Sequence, residues 1–168
     1  MNYNIDNLNK VKKSLINAGL KDFKLELALT QVAHETGDFD SSVFNENNNA
    51  SGIMYINNSK KQKNATKGKP FPSKEGKYFY ANFKSLDDWA KDFIRIVQNS
   101  LNKATSINEY ASLLKENKYY TDNVSNYLKG LNFNYNKLLK GDYFKVSTKT
   151  TAILIVYILV VILIIYKA

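Results

Sequence analysis

The chain has 168 residues, a net charge of +9, 12 Tyr and 9 Phe, enough for one compact domain with a sizeable aromatic core and an appendage. It has no cysteine and one histidine, which excludes disulfides, thiol catalysis, Cys-ligated zinc and multi-His metal sites, so neither metal nor cofactor is expected. The charge fits a polyanionic partner and fits a Lys- and Asn-rich composition from AT-rich coding equally well; the lysines are scattered around a single arginine, Arg95, which favours an anionic cell wall over a specific nucleic acid.

In chain order, the first helix is expected over Asn7 to Ala18, with Leu8, Val11, Leu15 and Ala18 on one face and Gly19 as its stop. A second runs from an Asp22 cap to Thr36 and stops at Gly37. The polar stretch "NENNNASG" reads as loop or turn. Residues 53–84 hold both prolines, Gly68, Gly76 and short aromatic runs, and read as an irregular lobe with one small β-hairpin. A third long helix opens at a Ser85 cap and places Trp89, Phe93, Ile96 and Val97 on one face. "SINEYASLLKEN" and "NVSNYLKGLNFNYNKLL" read as two more. The expected fold is therefore α+β and mainly α: a helical domain over residues 1–140, split by a small lobe, with a groove between lobe and helices.

Residues 141–149 read as a linker, and 150–167 as a transmembrane helix. Thr150 to Tyr166 carry no charge and are bracketed by Lys149 and Lys167; as a helix they would span about 25 Å. This gives the expectation of a single-pass C-terminal membrane anchor. The N-terminus does not read as a secretory signal, and more lysines precede the apolar span than follow it. A domain held on that side of a cell membrane would not meet the wall. The expectation drawn from this is a virion-associated enzyme anchored in a phage membrane, with virion membrane or capsid proteins as partners, and otherwise a bacterial envelope protein.

Glu35 is the residue that raises a chemical question. On the second helix Leu25, Ala28, Leu29 and Val32 form the apolar stripe, and Glu35 lies at its edge in the last turn. Burial and the negative end of the helix dipole both disfavour a charged carboxylate there. The pattern fits a general acid that stays protonated near neutral pH; it fits an exposed glutamate in a frayed last turn equally well. His34 does not complete an H-E-x-x-H zinc site, because Asp38 stands where the second His is needed. It points about a quarter-turn away from Glu35 and reads as structural or supporting.

"AHETGDFDSSVFNENNNASGIMY" resembles the glucosaminidase domains of bacterial and phage cell-wall hydrolases, glycoside hydrolase family 73. The matching positions are Glu35, Thr36, Gly37, Phe39, Ser41 or Ser42, then Asn48, Asn49, Gly52 and Ile53. "YFYANFKSLDDWAKDF", containing Tyr80, and "KYYTDNVSNYL", with Tyr119, Thr121, Asp122 and Tyr127, extend the resemblance over about residues 10–140. Ser51 replaces the family's usual aromatic and Met54 a frequent Lys.

The resemblance implies a lysozyme-like fold and cleavage of the β-1,4 bond between N-acetylglucosamine and N-acetylmuramic acid in peptidoglycan. It implies Glu35 as catalytic acid with Tyr119 beside it, and Phe39, Asn48, Asn49, Gly52 and Tyr80 around the substrate. The Asn pair and Tyr119 also read as a turn cap and a core residue. A second carboxylate is unassigned: Glu75 is the acid of the lobe, and Asp38, Asp40 and Glu46 lie nearer in sequence. Attack by the muramoyl 6-hydroxyl, or help from the substrate acetamido group, would need no second acid. The competing readings are a lytic transglycosylase, a muramidase or chitinase-like lysozyme ("AHET" also resembles family 19 chitinases), a non-catalytic glycan-binding membrane protein, and a holin-like protein.

Overall fold

The computed structural model describes residues 3–72 and 78–145. Six helices and a two-stranded antiparallel sheet make up its regular structure: α1 Ile5–Asn17, α2 Asp22–Thr36, α3 Ser42–Asn47, β1 Thr66–Pro70, β2 Phe79–Asn82, α4 Leu86–Lys103, α5 Ile107–Glu116 and α6 Val124–Lys140. The fold is mostly helical.

The helices start where polar side chains satisfy free backbone donors. Asn4, Ser41, Ser85, Ser106 and Asn123 each accept a hydrogen bond from the backbone N–H three residues on, and such caps contribute about 1 kcal/mol each. α2 departs from expectation at this end: its N-cap is Lys21, which makes no side-chain cap bond. α3 was not expected. Ser41 caps it and Phe44 buries its apolar side, so a short helix takes up the first part of the polar "NEN" stretch.

α2 is the central helix. Leu25, Leu27, Ala28, Leu29, Thr30, Gln31, Val32 and Ala33 are all buried, because α1, α4 and α6 pack around it. Trp89, Phe93, Tyr110, Phe39 and Phe83 fill the core between these helices and the lobe. In the lobe, β1 and β2 pair with Thr66 opposite Asn82 and Pro70 opposite Phe79, with an irregularity between Lys67 and Pro70. Residues 53–55 line the other edge of β2: Ala81 N donates to Ile53 O at 2.8 Å and Tyr55 N to Phe79 O at 2.7 Å.

The membrane expectation is corrected here. Among the described residues no helix is long and apolar enough to cross a membrane, and residues 150–167, on which the anchor was read, lie outside the described residues. The single-pass C-terminal anchor, and the virion-membrane or envelope location drawn from it, have no support and are dropped.

Candidate active site

A cleft of about 590 Å³ runs between the lobe and the helices, within the usual size range of small-molecule sites. Ile53, Met54, Ile56 and Phe71 line it from the lobe. Glu35 on α2, Ile96 on α4, Leu114 on α5, Tyr127 on α6 and the turn Asn117–Thr121 line it from the helices. Its walls combine apolar and aromatic side chains with polar and charged ones, among them Lys61, Gln62 and Lys118.

Glu35 is delivered to this cleft by the way α2 ends. Gly37, Asp38 and Phe39 adopt φ values of 56°, 68° and 69°, a left-handed run that costs about 1 kcal/mol or more at each non-glycine position. Thr36 Oγ1 holds the turn, donating to Val32 O at 2.6 Å and accepting from Phe39 N at 3.0 Å. The sharp exit sends Phe39 into the core, against Tyr3. It also turns Asp38 to Lys137, at 2.9 Å.

The carboxyl of Glu35 is partly buried and accepts a hydrogen bond from Tyr127 Oη at 2.6 Å. Burial pushes its pKa above the ordinary carboxylate range, and the Tyr127 bond offsets part of that rise. Burial and the charge of Glu35 in turn push the Tyr110, Tyr119 and Tyr127 phenols upward, so these groups stay protonated. Two rings hold Tyr127: it stacks on Tyr120 with centroids 3.8 Å apart and planes 9° from parallel, and packs against the His34 ring at 4.9 Å in a T-shaped arrangement. His34 thus supports the partner of Glu35. One turn before Glu35, the fully buried Gln31 accepts a hydrogen bond from Tyr110 Oη, while its amide nitrogen has no partner among the described residues.

The other sequence-read residues fall into different places. Tyr119 lines the cleft, with Oη 3.5 Å from Ser51 O, and Gly52 lines it at φ 60°. Asn49 is fully buried, donating to Ile53 O and Ala81 O and accepting from Ile53 N, so it builds the turn beneath the cleft. Asn48, at φ 47°, ends α3 and donates to Phe83 O. Phe39 is core. Tyr80 packs on Phe71, which itself faces the cleft. Ser51 accepts from Trp89 Nε1 at 2.9 Å, an arrangement an aromatic at that position could not make.

Of the candidate second carboxylates, Asp38 pairs with Lys137, Glu46 with Lys69, and Asp40 accepts from Asn45. Glu75 lies outside the described residues. Among the described residues Glu35 is the one carboxylate lining the cleft. No group of three or more His, Cys, Asp or Glu among them could hold a metal ion.

The direct partner of Glu35, Tyr127, was legible only as a motif residue. Its pairing spans 92 positions of sequence, and no local periodicity carries that information.

No family model and no curated protein matches the chain. It is similar in fold to a chain of a solved structure described as a type VI secretion system effector–immunity complex from Pseudomonas protegens. The TM-score is 0.53 at 17% identity, covering 80% of this chain and 94% of that one.

Proposed function

We propose that the chain is a glycoside hydrolase that cleaves the β-1,4-linked glycan strand of peptidoglycan, of the endo-β-N-acetylglucosaminidase type, with Glu35 as general acid. The observation that carries this reading is the partly buried Glu35 carboxyl, its pKa raised by burial, hydrogen-bonded to Tyr127 at 2.6 Å in an aromatic cleft. A carboxylic acid whose pKa is raised keeps its proton to higher pH and can protonate the leaving glycosidic oxygen, and such assistance contributes about 10²–10⁴-fold. The Tyr127 hydroxyl fixes the carboxyl's orientation and stabilises the carboxylate left after proton transfer. Tyr119, Tyr120 and Phe71 line the cleft and would give the sugar rings an aromatic wall.

A further line supports the reading: the residues around Glu35 resemble the family 73 glucosaminidase pattern. The P. protegens neighbour is described as part of a secretion effector–immunity complex, and by that analogy we propose a protein that associates with this chain as a partner besides glycan.

The experiment is product analysis of digested peptidoglycan strands by mass spectrometry. A new reducing-end N-acetylglucosamine is expected. Reducing-end muramic acid would mark a muramidase, and a 1,6-anhydro end a lytic transglycosylase. No cleavage by folded protein would overturn the reading.

A further inference from the structure

Two lysines, Lys61 from the lobe and Lys118 from the turn after α5, line the cleft that holds Glu35. Both are exposed, yet the backbone that carries each is firmly placed. Loop 54–62 is closed by Gln62, whose Oε1 accepts from Ile56 N at 2.8 Å and whose Nε2 donates to Met54 O at 2.7 Å. The loop is then tied to α4. Asn64 N and Nδ2 each donate to the fully buried Asp92 at 2.9 Å, Asp92 pairs with Arg95, and Arg95 Nε donates to Lys61 O at 3.3 Å. The one arginine of the chain therefore holds the backbone of a cleft lysine.

Lys118 is placed by a helix-ending motif. Lys118 N donates to Lys115 O and Tyr119 N to Leu114 O, both at 2.9 Å. Lys118 sits at φ 58°, the left-handed position where glycine is favoured. α1 closes with the same bond pattern and uses Gly19 there. A side chain at such a position costs about 1 kcal/mol or more, and retained strain of this kind marks positions worth testing for function. Here the strained residue is a cation at the cleft edge, directly before Tyr119.

We propose that Lys61 and Lys118 form an anion-recognising wall that makes the cleft select glycan strands bearing carboxylates over neutral strands of the same backbone. The inference rests on the glycoside hydrolase reading above and specifies its substrate: in a strand of N-acetylated hexosamines the carboxylates are those of lactyl ether groups and of peptides attached to them. Exposed charge contacts are individually modest, and two together correspond to about a tenfold preference.

The test is calorimetric binding of the full-length Glu35→Gln protein, which should not consume its ligand, to two soluble preparations. One is peptide-free strand with free lactyl carboxylates; the other is the same strand with those carboxylates converted to neutral methylamides. The charged strand is expected to bind about tenfold more tightly at low salt, with the preference lost in a Lys61→Gln/Lys118→Gln variant of the same protein. Equal affinities, or a preference that survives the lysine substitutions, would overturn the proposal. Uncharged preference combined with Glu35-dependent release of reducing ends by the wild type would leave the glycosidase reading standing. Charge preference without such release would do the reverse, and binding of neither strand would overturn both.

Discussion

The surroundings that suit Glu35 to proton donation also oppose its charged form. Its pKa in the folded chain is raised, chiefly by burial, so the folded state holds this proton more tightly than the unfolded chain does. The associated stability is fully present below the ordinary glutamate value of about 4.3 and is lost as pH rises through the raised pKa. Glu35→Gln carries no such penalty. Its Tm is expected to exceed that of the wild type at neutral pH, with the margin vanishing below about pH 4; melting curves across pH would show this, and identical curves throughout would contradict the assignment of Glu35 as a disfavoured charge. Tyr127→Phe removes the hydrogen bond that lowers the Glu35 pKa. The alkaline limb of the pH–rate profile, where the acid loses its proton, should then move to higher pH. A profile that scales down without moving would mean that Tyr127 does not tune Glu35.

Between elements, the position of Glu35 depends on how closely α6 approaches α2. Gly130 lies over the His34 ring, and a β-carbon there would stand 2.2 Å from His34 Cε1. Gly130→Ala gains up to about 1 kcal/mol of helix propensity but must displace His34, and with it the edge contact to Tyr127. Overpacking of this kind costs about 1–3 kcal/mol, so net destabilisation of about 1–2 kcal/mol is expected by urea unfolding. In a His34→Ala background the same change should become neutral or stabilising. Additive effects would show that the ring is not what requires the glycine.

The lobe is held to α4 by the buried Asp92, Arg95 and Asn64. Arg95→Met leaves Asp92 buried with Asn64 alone. Because Arg95 is partly exposed, the loss should be about 1–3 kcal/mol, below the ~3–5 kcal/mol of a fully buried pair. Hydrogen exchange should quicken selectively in residues 56–64, and uniform quickening would argue against a local tie.

At the scale of the molecule, the readable features were those encoded within one helix. Gly37 located the end of α2, and the 3.6-residue period put Glu35 in its last turn at the edge of the apolar stripe. The Ser85 cap and the face containing Trp89, Phe93 and Val97 located α4. The groove followed from a lobe inserted between helices. What could not be read depends on partners far away in sequence. Asn49 read both as a substrate contact and as a turn residue, and its bonds to Ile53 and Ala81 decide for the turn. Tyr127 is brought to Glu35 by α6 packing on α2, and Lys61 is held by a residue 34 positions away. α3 was hidden because Ser42, Asn45 and Glu46 face solvent and its apolar burial rests on one side chain, Phe44, with the polar Asn47 buried beside it.

Whether Glu35 is the proton donor of a glycan-cleaving site is decided by the rate of reducing-end release from purified peptidoglycan strands, for wild type and Glu35→Gln side by side, with melting curves confirming that both are folded. The expected result is cleavage by the wild type and a loss of about 10²–10⁴-fold in the variant, despite its higher Tm at neutral pH. A folded Glu35→Gln protein that releases reducing ends at the wild-type rate would contradict that role.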